Sequence, residues 1–119
     1  MENNNKENAI IFKAFCDETR LMALSLLQSG EKCACELLAQ VNVSQSTLSH
    51  HMKILIESGI VTSRKEGKWM YYAISQEGSE RAICLLKNLT ALTADQPKKE
   101  CCAWIKNVVP KIAAVVQKA

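Results

Sequence analysis

A short β-hairpin interrupts an otherwise helical sequence, and few architectures accommodate that order. Residues 60–66 and 69–74 are rich in β-branched and aromatic side chains. Between them Gly67 and Lys68 make a two-residue Gly-X loop of the type II′ kind, which joins antiparallel strands. No second hairpin and no internal repeat accompanies it.

The flanking segments carry helical periodicity. A polar start, Met1 to Glu7, yields to an apolar stripe over residues 9–15. Asp17 is placed to cap a second helix with Leu21, Leu24 and Leu27 on its apolar side, and Gly30 closes it. A short third helix is expected over about residues 33–40. Ser44 then caps a fourth, running to Ser58 and stopped by Gly59. Beyond the hairpin, Ala82, Ile83, Leu85, Leu86, Leu89 and Leu92 give a helix whose broad apolar face needs a partner surface, such as a second subunit. Pro97 breaks the pattern, and a last stripe runs from Trp104 to Val116. The expected fold is mainly α with a small β-hairpin, a winged helix-turn-helix dimeric through its terminal helices. Residues 1–94 form the DNA-binding and dimerisation domain in this reading. Residues 95–119 form a helical extension with an adjacent cysteine pair.

With 119 residues the chain suits one compact domain, and 48% apolar residues exclude a disordered one. No apolar run is long enough to span a membrane, and the polar start lacks the core of a signal peptide. A cytoplasmic location is therefore expected. Six cysteines in such a chain point to metal or redox chemistry rather than structural disulfides. An enzyme is disfavoured. There is no Cys-x-x-Cys pair and no Gly-rich phosphate loop, and no nucleophile–base set can be assembled.

The fourth helix and hairpin carry a modest positive balance, Lys53, Arg64, Lys65 and Lys68 against Glu57 and Glu66, smaller than that of residues 97–119. The fourth helix has two faces. Leu48, Met52, Leu55 and Ile56 make its buried side, and Ser46, Ser49, His50 and Lys53 its polar side. Preceded by a shorter helix and a turn, that polar face can lie in a major groove. Ser44, Gln45, Ser46 and Thr47 then sit at the helix start, where hydroxyls and amides meet phosphates or bases. Arg64, Lys65 and Lys68 flank the hairpin turn and would reach the neighbouring backbone. Taken alone, an ordinary solvated helix face would look the same.

Together, Glu31-Lys-Cys-Ala-Cys-Glu-Leu37, Ser44 to Leu55, Ser58-Gly-Ile-Val61 and Arg64 to Tyr72 resemble the ArsR/SmtB family of metalloregulatory repressors. The resemblance covers roughly residues 8–92. It implies a winged-helix homodimer that sits on double-stranded operator DNA and leaves when an inducer binds, with no organic cofactor. Cys33-x-Cys35 implies the branches responding to arsenic, antimony, lead or cadmium. Leu38 stands where the arsenic branch often has a third cysteine. Zinc- and cobalt-responsive relatives carry His on the long dimer helix, whereas this chain has Glu77 and Glu80 there and no His after His51.

Two thiol sets are candidates for As(III) or a related thiophilic metal(loid). Cys33 and Cys35 are expected within the first turn of the third helix, whose N-terminus would lower their pKa. There, residues i and i+2 point about 200° apart, so joint binding would have to distort the helix. That helix is expected to pack against the DNA-reading one, which would carry the distortion to DNA. Cys101 and Cys102, beside Lys98 and Lys99, form the second set. Cys84 or Cys16 could complete either set, although each alone reads as a packed apolar residue. The alternative on the same scaffold is a repressor sensing thiol oxidation or persulfidation.

Overall fold

A computed structural model describes residues 4–93 of the chain. The order of elements is α1 (Asn5–Lys13), α2 (Glu18–Leu27), β1 (Lys32–Cys33), α3 (Ala34–Leu38), α4 (Gln45–Glu57), β2 (Val61–Glu66), β3 (Trp69–Ile74) and α5 (Gln76–Leu89). This is the mainly helical, winged helix-turn-helix arrangement expected. The chain divides into two units between Ile83 and Cys84. The core, the sheet and the thiol pair at Cys33 belong to the first; the end of α5 belongs to the second. The expected C-terminal extension, with Cys101 and Cys102, lies outside the described residues.

Local chemistry sets most of the element ends. The Asp17 carboxylate accepts from the N–H groups of Thr19 and Arg20, and Ser44 Oγ from that of Thr47. Burial works to raise the Asp17 carboxyl, but the amides of Arg20 and Thr19, helped by His51 and Arg20, hold it below its ordinary value. At the hairpin, Glu66 pairs with Trp69 across Gly67 and Lys68. Gly67 takes φ +62° while no described non-glycine residue, Lys68 included, is positive, as a type II′ turn requires.

Four departures from the sequence reading matter. The sheet has three antiparallel strands in the order β1-β3-β2, because Lys32 and Cys33 pair with Tyr72 and Tyr71. The third helix is accordingly only Ala34–Leu38, and Cys33 stands before it as an extended cap. On α2 the inward side is Arg20, Ala23 and Leu27, while Leu21 is exposed, since a spacing of three drifts around a 3.6-residue helix. Finally, α1 starts before the apolar stripe, at Asn5, and none of its residues is fully buried.

The core gathers Ala14, Ala23, Leu27, Leu37, Val41, Leu48, Met52, Leu55, Ile60, Val61 and Tyr72. Leu37, Met52 and Leu55 bind α3 and α4 into it, each contributing about 1.5–3 kcal/mol by leaving water. Yet α3 makes its main contacts with β1 and β3, and α4 packs chiefly on α1, α2 and β2. The expected packing of the third helix on the reading helix is thus not a principal contact. With only five residues, α3 has one turn to offer, and the sheet takes it.

Arg20 is buried among these helices. Its Nε donates to the Ala14 carbonyl, Nη2 to that of Lys13 and Nη1 to His51 Nδ1 at 2.8 Å. It satisfies the open end of α1 and ties it to α4.

Gly78 is buried near the start of α5, and a Cβ there would overlap the Gly59 carbonyl. Gly78→Ala should therefore destabilise the fold by about 1–3 kcal/mol. Alanine's helix propensity, worth up to ~1 kcal/mol, would offset only part of this. Urea denaturation checks it, and a stabilised variant would show that the two backbones separate easily.

Candidate nucleic-acid interface and thiol site

The helix-turn-helix presents its polar side outward. Gln45, Ser46, Thr47, Ser49, His50 and Lys53 are exposed on α4, opposite buried Leu48, Met52 and Leu55. Ser44 Oγ is engaged at the helix start, donating to Thr47 Oγ1 at 2.9 Å while it caps the Thr47 amide. No acidic side chain stands in the first turn of α4, so its amides present an unopposed positive end. His51 faces inward. As Arg20 can only donate, His51 Nδ1 is the acceptor, and its Nε2 lies 3.7 Å from Asp17.

Lys65 and Lys68 are exposed along the hairpin, with Lys68 Nζ 5.8 Å from the Trp69 ring. Arg64 is different. Its Nε and Nη2 donate to both Glu31 oxygens at 2.9 and 2.7 Å, and Nη1 donates to Glu66 at 2.9 Å. Its guanidinium also lies 4.4 Å from the centre of the Tyr71 ring. Arg64 therefore brings less free charge to a polyanion than the sequence suggested. Hydrogen bonds from Arg64 hold the Glu31 carboxyl below its ordinary value, and those to Glu31 and Glu66 raise Arg64 in turn.

The largest correction concerns the cysteines. Cys33 and Cys35 do not diverge: their sulfurs are 2.8 Å apart. Cys33 is extended, φ −69° and ψ 149°, because β1 holds it against Tyr71. The 200° rule applies within a helix and fails at the cap. Cys33 Sγ accepts from the Cys35 amide at 3.4 Å, and Glu36 accepts from the Cys33 amide at 3.2 Å. The result is a capping box built on a thiol. The expected depression of the thiol pKa does not hold for Cys35. Its hydrogen bond with Cys33, burial and the neighbouring Cys33 charge raise it instead.

One sulfur buried and one exposed, at this distance, fit a soft ion that enters from solvent. Among the described residues no group of three or more His, Cys, Asp or Glu gathers to hold a metal. Cys16 and Cys84 are exposed, not packed as expected, and Cys16 Sγ donates to the Phe12 carbonyl. Because Cys35 holds its proton firmly, a divalent soft ion such as Cd(II) must displace it. Apparent Cd(II) affinity should rise about tenfold per pH unit below the Cys35 pKa from that proton alone. Competition titrations from pH 6 to 8 check this; affinity flat with pH would remove Cys35 from the site.

Sequence reading missed Glu31, Tyr71 and Arg20. Nothing local marks them, since Glu31 meets Arg64 across 33 positions and Arg20 meets His51 across 31.

Residues 17–63 match the family described as "Bacterial regulatory protein, arsR family". An uncharacterized HTH-type transcriptional regulator of Methanocaldococcus jannaschii is 45% identical over 82 residues, 68% of this chain and 92% of that one. An arsenical resistance operon repressor of Escherichia coli (strain K12) is 33% identical over 107 residues, covering 82% and 92%. Among solved structures, a possible transcriptional regulator for arsenical resistance superposes with TM-score 0.62 at 29% identity, covering 74% of this chain and 97% of that one. Helix-turn-helix, hairpin wing and thiol pair thus occur in a chain that belongs to the ArsR family, on its arsenical-resistance branch, and is a DNA-binding transcriptional regulator rather than an enzyme.

Proposed function

We propose that the protein binds double-stranded operator DNA as a homodimer in the cytoplasm. It represses there until As(III) or a related thiophilic metal(loid) is taken up by Cys33 and Cys35. The observation that carries this reading is the 2.8 Å approach of two thiols at the cap of α3, the first helix of the helix-turn-helix. With arsenous acid, each thiol proton leaves with a departing hydroxyl as water, and two As–S bonds replace two S–H and two As–O bonds. The third valence keeps a hydroxyl or takes a further thiol, from Cys101, Cys102 or a small thiol compound.

Ser44, Gln45, Ser46, Thr47, Ser49, His50 and Lys53 are the groove-facing set, with Lys65 and Lys68 on the wing. Lys53→Ala and Lys68→Ala should each flatten the dependence of log K on log salt by about 1.8, one phosphate contact being lost from each protomer of the dimer. Arg64→Ala should change the slope less, because Glu31 and Glu66 already balance that charge. Operator affinity across a salt series checks this; slopes unchanged by both lysine variants would move the interface elsewhere. Exposed Ile10 on α1 and exposed Ile83, Leu86 and Leu89 on α5 support the dimer, since unpaired helices rarely leave such side chains in water.

The test is a titration of operator-bound protein, under reductant, with As(III), Cd(II) and Zn(II). Release by As(III) at one ion per thiol pair supports the proposal, and undisturbed binding overturns it. The same proximity would let an oxidant join the sulfurs, which is the thiol-redox reading. Release by peroxide but not by As(III) would favour that reading.

A further inference from the structure

We infer that a row of side chains across the sheet, Cys33, Tyr71 and Arg64 locked by Glu31, couples the thiol pair to the wing, with Tyr71 and Glu31 as positioning residues for operator release. The inference rests on the thiol-sensing reading above and names the route by which it acts.

The register places the row. Tyr71 on β3 is opposite Cys33 on β1 and opposite Arg64 on β2. Directly opposed residues of antiparallel strands project to the same face, so the three are successive neighbours on one side of the sheet. Arg64 covers the Tyr71 ring at 4.4 Å and closes back on Glu31 through two hydrogen bonds. Glu31 immediately precedes β1 and stands two residues before Cys33. A displacement of Cys33 therefore meets Arg64 twice, through the Tyr71 ring and through the Glu31 backbone.

Uptake of an ion demands such a displacement. Two metal–sulfur bonds of ~2.3 Å at angles of roughly 90–110° set the sulfurs about 3.3–3.8 Å apart. They stand at 2.8 Å, and Cys33 Sγ must also give up the Cys35 amide that it caps. Of the two thiols, Cys33 is the one held by a two-residue edge strand with two register pairs, the slighter restraint. The motion has few other ways out, because α3 rests mainly on β1 and β3. From Arg64 it enters β2, which forms one arm of the wing and packs on the reading helix α4. Ion pairs this exposed add little to stability, so the work of the Glu31–Arg64 clamp is orientation. The DNA-competent wing holds the clamp closed, and the ion-loaded pair opens it. That difference between the two states is what coupling requires.

The experiment uses the full chain with Glu31→Gln, Tyr71→Leu and the conservative Tyr71→Phe. For each, operator affinity is measured without inducer and at saturating As(III), and bound arsenic per chain is counted. Glu31→Gln and Tyr71→Leu should bind As(III) at wild-type stoichiometry, yet the ratio of operator affinities without and with As(III) should fall close to one. Tyr71→Phe, which keeps the ring under Arg64, should retain the ratio. A wild-type ratio in both of the first two variants overturns the inference. Hydrogen exchange on the wild-type protein gives a second readout free of any folding defect. As(III) should speed exchange in residues 31–33 and 61–72, and a change confined to residues 45–57 would refute the route. Failure of the underlying reading has a different signature, in which wild-type protein takes up As(III) at the pair and keeps its operator.

Discussion

With Cys33→Ser and Cys35→Ser combined, operator binding should persist and release by As(III) should disappear. Serine at 33 preserves the local fold, because its hydroxyl is a better helix cap than a thiol and can accept from the residue 35 amide in the same way. What it cannot do is hold a soft ion, since an alcohol is neither ionised at neutral pH nor polarisable. Inducers of this type typically change operator affinity by about 5–150-fold, and that factor should fall to one. Fluorescence anisotropy of labelled operator, titrated with As(III), gives the number directly. Cys101→Ser with Cys102→Ser should leave most of the response in place, because Cys33 of the Cys33–Cys35 pair lies in the sheet that carries the wing. Full As(III) induction surviving in the Cys33/Cys35 variant would move the sensor to the tail pair.

Arg20→Met should cost the fold about 3 kcal/mol. Methionine fills much of the volume, so the loss is of hydrogen bonds rather than packing. The Ala14 carbonyl and the Nδ1 of half-buried His51 would lose their donor together, and the Lys13 carbonyl would keep only the Cys16 N–H. Each such loss costs roughly 1–3 kcal/mol when water cannot replace the partner. Arg20→Lys should rescue little, since one ammonium cannot span three acceptors on two helices as a planar guanidinium does. For a domain of this size the midpoint should fall by more than about 10 °C. A thermal melt of the DNA-free protein measures it, and a fall of a few degrees would mean that water reaches these carbonyls.

The sequence by itself determined the elements whose causes are local. Asp17 and Ser44 cap helices because their side chains reach amides within three residues. Gly67 and Lys68 turn a hairpin because a two-residue loop needs a positive φ at its first position. The outward polar side of α4 followed from 3.6-residue periodicity, which fixes which residues share a face once any one is buried. Only tertiary structure decided the rest. Whether Cys33 and Cys35 converge depends on residue 33 being strand rather than helix, and that was settled by pairing with Tyr71, 38 positions away in the chain. Arg64 reads as a free wing cation until the sheet brings Glu31 to it, and nothing near Arg20 in the chain marks its bond to His51 of α4. Caps and turns are energies of neighbouring residues and can be read from a short string. The thiol site and its route to the wing are energies of strand register and helix packing, which exist only after distant segments have met.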